Sequence, residues 1–373
     1  MKRKLLSTGL ILISAIFLLT SCRQSPRLFV GGFTEREGEK AMAVFEFKPA
    51  SGKLKYVFAS DVGPSPSWFC YSGTTDLFYI ANEVMEFNGQ FGGGLSTFRY
   101  DEENSGFEKV NEMLIPYGGP CYISMSADSG YLFIANYPNG SIAVVRLDES
   151  GLPEMITDTI LYDREQPDRS HAHMILHDPA GRHVYVTDLG LDRIVAYDFN
   201  SMTGKLKQLE NGITTLPQGS GPRHFTFNSD GKRLYVINEL GSTMMVFAVE
   251  EGQELRLLQT LPAMKGGIAS NNYCAEVRIS GDGRFLYGSN RGENNIATFK
   301  ILPDGLLEPA GHSSCGGDWP RNFVIDPSGR YLISGNQKSD KITVFRINRS
   351  DGLAEKAVDS AQVRMPACLK FYK

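Results

Sequence analysis

Short apolar runs recur along the chain, each three or four residues long and bounded by polar turns. They are Leu28-Phe29-Val30, Phe78-Tyr79-Ile80, Leu132-Phe133-Ile134, Val184-Tyr185-Val186, Leu234-Tyr235-Val236, Leu286-Tyr287-Gly288 and Leu332-Ile333-Ser334. Their ends fall 50, 54, 52, 50, 52 and 46 residues apart, the regularity of a repeat array. Ahead of most copies stands a turn sequence such as Asp178-Pro179-Ala180-Gly181, Asp230-Gly231, Asp282-Gly283 or Asp326-Pro327-Ser328-Gly329, whose Gly supplies a positive φ. Behind each copy come a polar loop and a second β-type run, for example Ile142-Ala143-Val144-Val145 or Ile342-Thr343-Val344-Phe345. A more irregular fourth run follows connectors such as Thr203-Gly204-Lys205. No long stretch carries the 3.6-residue period of an amphipathic helix. Each unit therefore predicts four antiparallel strands.

Such a sheet has two faces to cover, and radial stacking of copies covers both while leaving only short edges. The pattern predicts an all-β fold, a seven-bladed β-propeller over residues 28–373. The strand that precedes each turn is missing ahead of the first copy and stands unpaired at the C-terminus as Pro366-Ala367-Cys368-Leu369-Lys370-Phe371. The tail is expected to complete the first blade and close the ring.

A repeat carries its own control, because features common to every copy serve the scaffold and departures at equivalent positions need another reason. The strand ahead of the turn aligns as Pro66-Ser67-Trp68-Phe69, Pro120-Cys121-Tyr122-Ile123, His171-Ala172-His173-Met174, Pro222-Arg223-His224-Phe225, Cys274-Ala275-Glu276-Val277, Pro320-Arg321-Asn322-Phe323 and Pro366-Ala367-Cys368-Leu369. As the innermost strand, it starts at the mouth of the central channel and brings His173, Arg223, His224, Glu276, Arg321 and Asn322 there. After the apolar run, Asn or Asp recurs in six copies (Asn82, Asn136, Asp188, Asn238, Asn290, Asn336), where it is expected to bond its own turn. The residue after it changes from Glu83 to Tyr137, Leu189, Glu239, Arg291 and Gln337, as the wall of a site does. Both series are expected to open on one end of the ring.

Arg223, Arg291 and Arg321 then share one mouth. Guanidinium forks suit a phosphate or carboxylate on a small ligand, and the competing reading is structural pairing with Glu239 and Glu276. His171 and His173, two apart on one strand, could form a three-histidine metal site with His224. The neighbouring guanidiniums repel a divalent cation, so neither metal nor cofactor is expected. His177, His183 and His312 read as surface or packing residues, and Trp68 and Trp319 as packing between blades.

The remaining composition is that of a globular chain: 373 residues, 42% hydrophobic, 21% charged, with 39 Gly and 18 Pro. It excludes a disordered, collagen-like or multi-span membrane protein. Lys2, Arg3 and Lys4 precede an apolar stretch from Leu5 to Leu19, and Leu19-Thr20-Ser21-Cys22 ends it with a small residue before a cysteine. This is a secretory signal over residues 1–21, and its ending resembles a bacterial lipobox, with Cys22 lipidated and residues 22–27 as a tether. An ordinary signal peptide or an uncleaved anchor is the alternative. The expected product is an exported cell-envelope lipoprotein that meets the membrane through its N-terminal lipid alone. After removal of residues 1–21 the chain keeps 35 basic against 42 acidic residues, a net charge of −7 that favours no nucleic-acid partner. Five cysteines remain (Cys70, Cys121, Cys274, Cys315 and Cys368) without a Cys-x-x-Cys spacing, which argues against a zinc site and a full disulfide framework but leaves room for one bridge.

Gly221-Pro222-Arg223-His224, Asn238-Glu239-Leu240, Ala275-Glu276-Val277-Arg278 with Ser289-Asn290-Arg291, and Trp319-Pro320-Arg321-Asn322-Phe323 together resemble the propeller-type 6-phosphogluconolactonases. The 3-carboxy-cis,cis-muconate lactonizing enzymes share that family. The resemblance spans residues 28–373 and is strongest in blades four to seven. It implies a sugar-lactone hydrolase with His173, Arg223, Glu239 and Arg291 as the catalytic set. His171, His224, Glu276, Arg321, Gln337, Glu83 and Asn136 would contact a small anionic lactone. A cycloisomerase, or a non-catalytic tethered propeller that binds a small ligand or a protein, would use the same mouth. The export signal departs from the family's cytoplasmic members and points to a related anionic lactone or an unphosphorylated one.

Overall fold

The computed structural model describes residues 25–372 apart from 37, 103, 105 and 267–270, so the signal sequence and the lipidation expected at Cys22 lie outside the described residues. Seven four-stranded antiparallel sheets form the seven expected blades. From the channel outward, blade five runs Pro222–Phe227, Arg233–Asn238, Thr243–Val249 and Leu255–Pro262, and the other blades repeat this order. In blade one the innermost strand is the C-terminal Pro366–Tyr372, paired antiparallel with Arg27–Gly32. Each innermost strand touches the next, and the last touches the first, which closes the ring.

Burial explains why one strand per blade stood out in the sequence. The second strand lies between neighbouring blades and is covered on both faces: every residue of Leu77–Asn82, Tyr131–Asn136 and Tyr331–Asn336 is buried. Strands covered twice read as unbroken apolar runs. The outermost strands, such as Gly106–Ile115 and Ala354–Gln362, face solvent and lose that signature. Blade two adds a small hairpin, Glu86–Phe87 with Gln90–Phe91, turned at Asn88 and Gly89 with φ of 51° and 74°. Two consecutive positive φ values match the tight turn that this Asn-Gly pair favours.

The recurrent Asn or Asp bonds its own loop in part, as Asn238 does to Thr243 Oγ1 and Asn136 to Ser141 Oγ, but most copies also reach farther. The Asn amide nitrogen reaches back to a carbonyl on the connector entering the same blade: Asn82 to Pro64 at 2.9 Å, Asn136 to Pro116 at 3.2 Å, Asn290 to Ala263 at 2.7 Å and Asn336 to Cys315 at 3.0 Å. Asp188 accepts from Ser170 Oγ and the His171 N–H and, within its own turn, from the Leu191 N–H. These side chains are fully buried and staple connector to sheet, a contact between segments that only the closed blade brings together. Asn136, expected to touch substrate, belongs to this scaffold series. The five cysteines of residues 28–373 are buried and free, so no bridge forms among them, and burial pushes the thiols of Cys70 and Cys274 up to about 12.

Candidate active site

The innermost strands share a defect that determines what faces the mouth. Near the start of each, the register against the second strand slips, leaving Ser67, Cys121, His173, Arg223 and Arg321 as extra residues. A β-bulge leaves its extra residue unpaired and re-aims its side chain. The slip also corrects the sequence alignment of blade four. Ala172 faces Asp188 as Pro222 faces Asn238 and Pro320 faces Asn336, so His173 is the counterpart of Arg223 rather than of His224. His171 falls ahead of the strand. Blade four lacks the Pro that marks this start in blades two, three, five and seven, and the apolar pattern alone cannot place a one-residue shift.

Glu239, delivered by the loop after its strand, sits between two guanidiniums. Its Oε2 lies 2.9 Å from Arg223 Nε and 2.5 Å from Arg291 Nη2. Backbone carbonyls fix both arginines: Arg223 Nη1 donates to Ala275 O at 2.9 Å, and Arg291 donates to Tyr273 O and Cys274 O, each at 3.1 Å. Pairing and convergence therefore coexist. Arg223 Nη2 and Arg291 Nη1 are left without a protein acceptor among the described residues. Burial lowers the pKa of both arginines, with Arg291 and Arg321 adding to the effect on Arg223; the shared Glu239 carboxylate opposes it.

His173 closes the set. It is 4% exposed, and its Nδ1 has no hydrogen-bond partner. Burial, then the charge of Arg223, holds its pKa well below the usual histidine range, so the imidazole is neutral at pH 7. Tyr137, singled out in the sequence only by its variable position, packs edge-on to His173 at 5.4 Å. It also stacks on His171 at 4.6 Å, and His171 Nδ1 lies 3.0 Å from Tyr137 O. Among the described residues no three metal-ligating side chains are arranged to hold an ion.

Below His173 an aromatic layer fills the channel. His224 lies 5.1 Å from the His173 ring, 5.2 Å from Trp68 and 5.4 Å from Tyr122, and Trp68 stacks on Tyr122 at 4.4 Å. His224 Nδ1 is 3.4 Å from Glu276 Oε2, which also accepts from Asn322 Nδ2. His224 and Glu276, expected on the wall of the mouth, thus form and underpin its floor. Glu276 lines the cavity at the other end, beside the turn residues Gly281 and Gly329.

At the rim, Arg321 is only loosely paired, with Glu83 at 4.0 Å, and lies over Phe33. Burial raises the pKa of Glu83, and Arg321 opposes that shift. Gln337 carries a buried, unpartnered Oε1. Beside them Trp319 adopts φ of 66°, at the step into the innermost strand where blades three and five use Gly119 (φ 60°) and Gly221 (φ 59°). A bulky residue held there costs about 1–3 kcal/mol. The indole carries Lys338 Nζ 3.2 Å from its ring centre and the Arg291 guanidinium 5.5 Å away, a role beyond the blade packing expected for it. Trp319→Gly is expected to raise KM roughly fivefold, since a cation–π contact is worth about 1 kcal/mol. Its melting temperature should be unchanged or higher, because the strain is relieved. Calorimetry beside steady-state kinetics checks this; a lower melting temperature with unchanged KM would reduce Trp319 to packing.

Comparisons with known proteins agree with the fold. The family model described as "Lactonase, 7-bladed beta-propeller" matches residues 27–371. A 6-phosphogluconolactonase of Formosa agariphila is 30% identical over 355 residues, 92% of this chain and 99% of that protein. The 6-phosphogluconolactonase of Bacillus subtilis is 26% identical over 355 residues, covering 92% and 97%. Among solved structures, the periplasmic gluconolactonase of Pseudomonas aeruginosa superimposes with a TM-score of 0.87 at 29% identity, covering 93% of this chain and 99% of that one. With its seven blades, its closing C-terminal strand and a family match over nearly all described residues, the chain belongs to the seven-bladed β-propeller lactonase family.

Proposed function

We propose that the protein hydrolyses the ring ester of an aldonolactone at this mouth. The observation that carries the reading is the pairing of two fixed guanidinium nitrogens, Arg223 Nη2 and Arg291 Nη1, with the neutral, unpartnered imidazole of His173. Water attacks the lactone carbonyl carbon while His173 takes its proton. Negative charge grows on the carbonyl oxygen, where the two guanidiniums stabilise it more strongly than they stabilise the ground state. The tetrahedral intermediate then expels the ring oxygen, which takes the proton back from His173, and the open acid leaves. Glu239 orients the arginines rather than acting as base, because its Oε2 is shared between them.

The export signature favours the free lactone as substrate, and the similar Pseudomonas protein is named a periplasmic gluconolactonase. Arg321 and Gln337 are the groups left to receive an anionic substituent remote from the ester. Purified protein is to be assayed against glucono-1,5-lactone, its 6-phosphate and 3-carboxy-cis,cis-muconate. Both lactones are expected to open faster than in buffer, with no cyclisation of the muconate. Lactone opening at the buffer rate would reject hydrolysis, and muconate cyclisation would select the reverse chemistry.

A further inference from the structure

The channel has a second end. Beneath the layer of Trp68, Tyr122 and His224 lies a separate cavity of about 450 Å³, bounded by the turns of blades six and seven. Polar and apolar surface share its wall about equally, and Met174, Phe225 and Val324 with the Trp68–Tyr122 pair supply the apolar part. Two cations, Arg278 and Lys370, and two buried carboxylates, Glu276 and Asp326, make up its charged part. Arg278 is occupied, donating through Nε to Phe323 O at 2.7 Å and lying 3.8 Å from Glu276. Asp326, also in the wall, spends both oxygens on the backbone and Ser328 of its own turn. Lys370 forms no ion pair within 4 Å among the described residues: its Nζ sits 5.2 Å from the Trp68 ring and 5.8 Å from that of Phe69, and its charge acts on Glu276 only from a distance. Trp68 itself, 5% exposed, has an indole Nε1 with no acceptor.

A concave pocket of this size that sets an aromatic and aliphatic face beside a few convergent polar groups is a form small-molecule sites take. An ammonium without an ion pair inside it calls for an anion, and the Trp68, Tyr122, Met174, Phe225 and Val324 face suits an apolar body. We propose that this lower cavity is a second binding site, selective for a small monocarboxylate with a compact apolar body, its carboxylate on Lys370. The inference is independent of the chemistry at the upper mouth, from which the aromatic layer separates it. Hydrophilic anions such as aldonates and inorganic phosphate carry the charge without the body and are excluded.

The protein contains two tryptophans, so Trp319→Phe leaves Trp68 as the sole indole reporter. Titrating that variant with benzoate is expected to give a saturable change in Trp68 fluorescence, while gluconate and inorganic phosphate give none. Adding Lys370→Met should weaken benzoate binding by about tenfold or more, and Lys370→Arg should restore most of it. Ligand-observed NMR on the unaltered protein provides the same reading without any substitution. Absence of saturable benzoate binding, equal binding after Lys370→Met, a preference for gluconate or phosphate, or loss of binding in Arg291→Met in place of Lys370→Met would each overturn the proposal.

Discussion

Arg291→Met is expected to lower kcat for lactone hydrolysis by about 10²–10³, the usual cost of one oxyanion donor. The substitution removes the Nη1 donor, which has no protein acceptor among the described residues, and one of the two charges that hold Glu239. Arg223 remains 2.9 Å from Glu239, so the carboxylate keeps a partner and the blade keeps its strands. Arg291→Lys separates charge from geometry. A lysine preserves the cation but cannot reach Tyr273 O, Cys274 O, Glu239 and a substrate oxygen in one planar fork, so most of the loss should persist. Near-wild-type turnover in Arg291→Met, with melting and substrate concentration controlled, would remove the guanidinium pair from the mechanism.

The second large effect belongs to His173. Replacing it with Phe keeps a ring against Tyr137 and His224 but removes the proposed base, and kcat should fall by about 10²–10⁴. The pH profile is the sharper readout. In the proposed mechanism His173 acts deprotonated, and its pKa lies well below the usual histidine value because the site is buried and beside Arg223. Wild-type kcat/KM should therefore be flat through neutrality and fall only on the acid side, below the ordinary histidine range. His173→Phe should lack that limb. Stability moves in the same direction. The unfolded chain takes up protons that the buried His173 and His224 refuse, so the fold loses stability as pH falls through the ordinary histidine value toward their lowered ones. A profile that stays level to strongly acid pH in wild type, or a His173→Phe variant of normal rate, would assign the base elsewhere.

Fold and site were legible in the sequence to different depths. The second strands, buried on both faces, announced themselves as apolar runs, and their spacing predicted seven blades and the C-terminal closure that Pro366–Tyr372 makes. The residues varying between copies at the mouth, Arg223, Glu239 and Arg291 among them, were legible for the same reason. A ring brings equivalent positions of every repeat to one end, so sequence equivalence stands in for distance. Where that equivalence slips by a residue, as at His171–Met174, the reading slips with it.

Other features depended on contacts between segments far apart in the chain. The bulges that turn His173, Arg223 and Arg321 toward the mouth are two-strand properties, invisible in either strand alone. Asn290 bonds a carbonyl 27 residues earlier, and nothing local distinguishes that from a turn contact. Depth along the channel separates Arg223 at the mouth from its neighbour His224 in the floor. One peptide unit moves a side chain to the opposite face of a strand, and no one-dimensional pattern records which face meets the substrate. Blade number, ring closure and the residue types gathered at one end of the ring thus follow from the order of residues, whose spacing is set by local strand and turn physics. Which charges pair, which nitrogens stay free and where the floor lies were decided by tertiary packing, because burial and Coulomb energy depend on distances that only the closed ring defines.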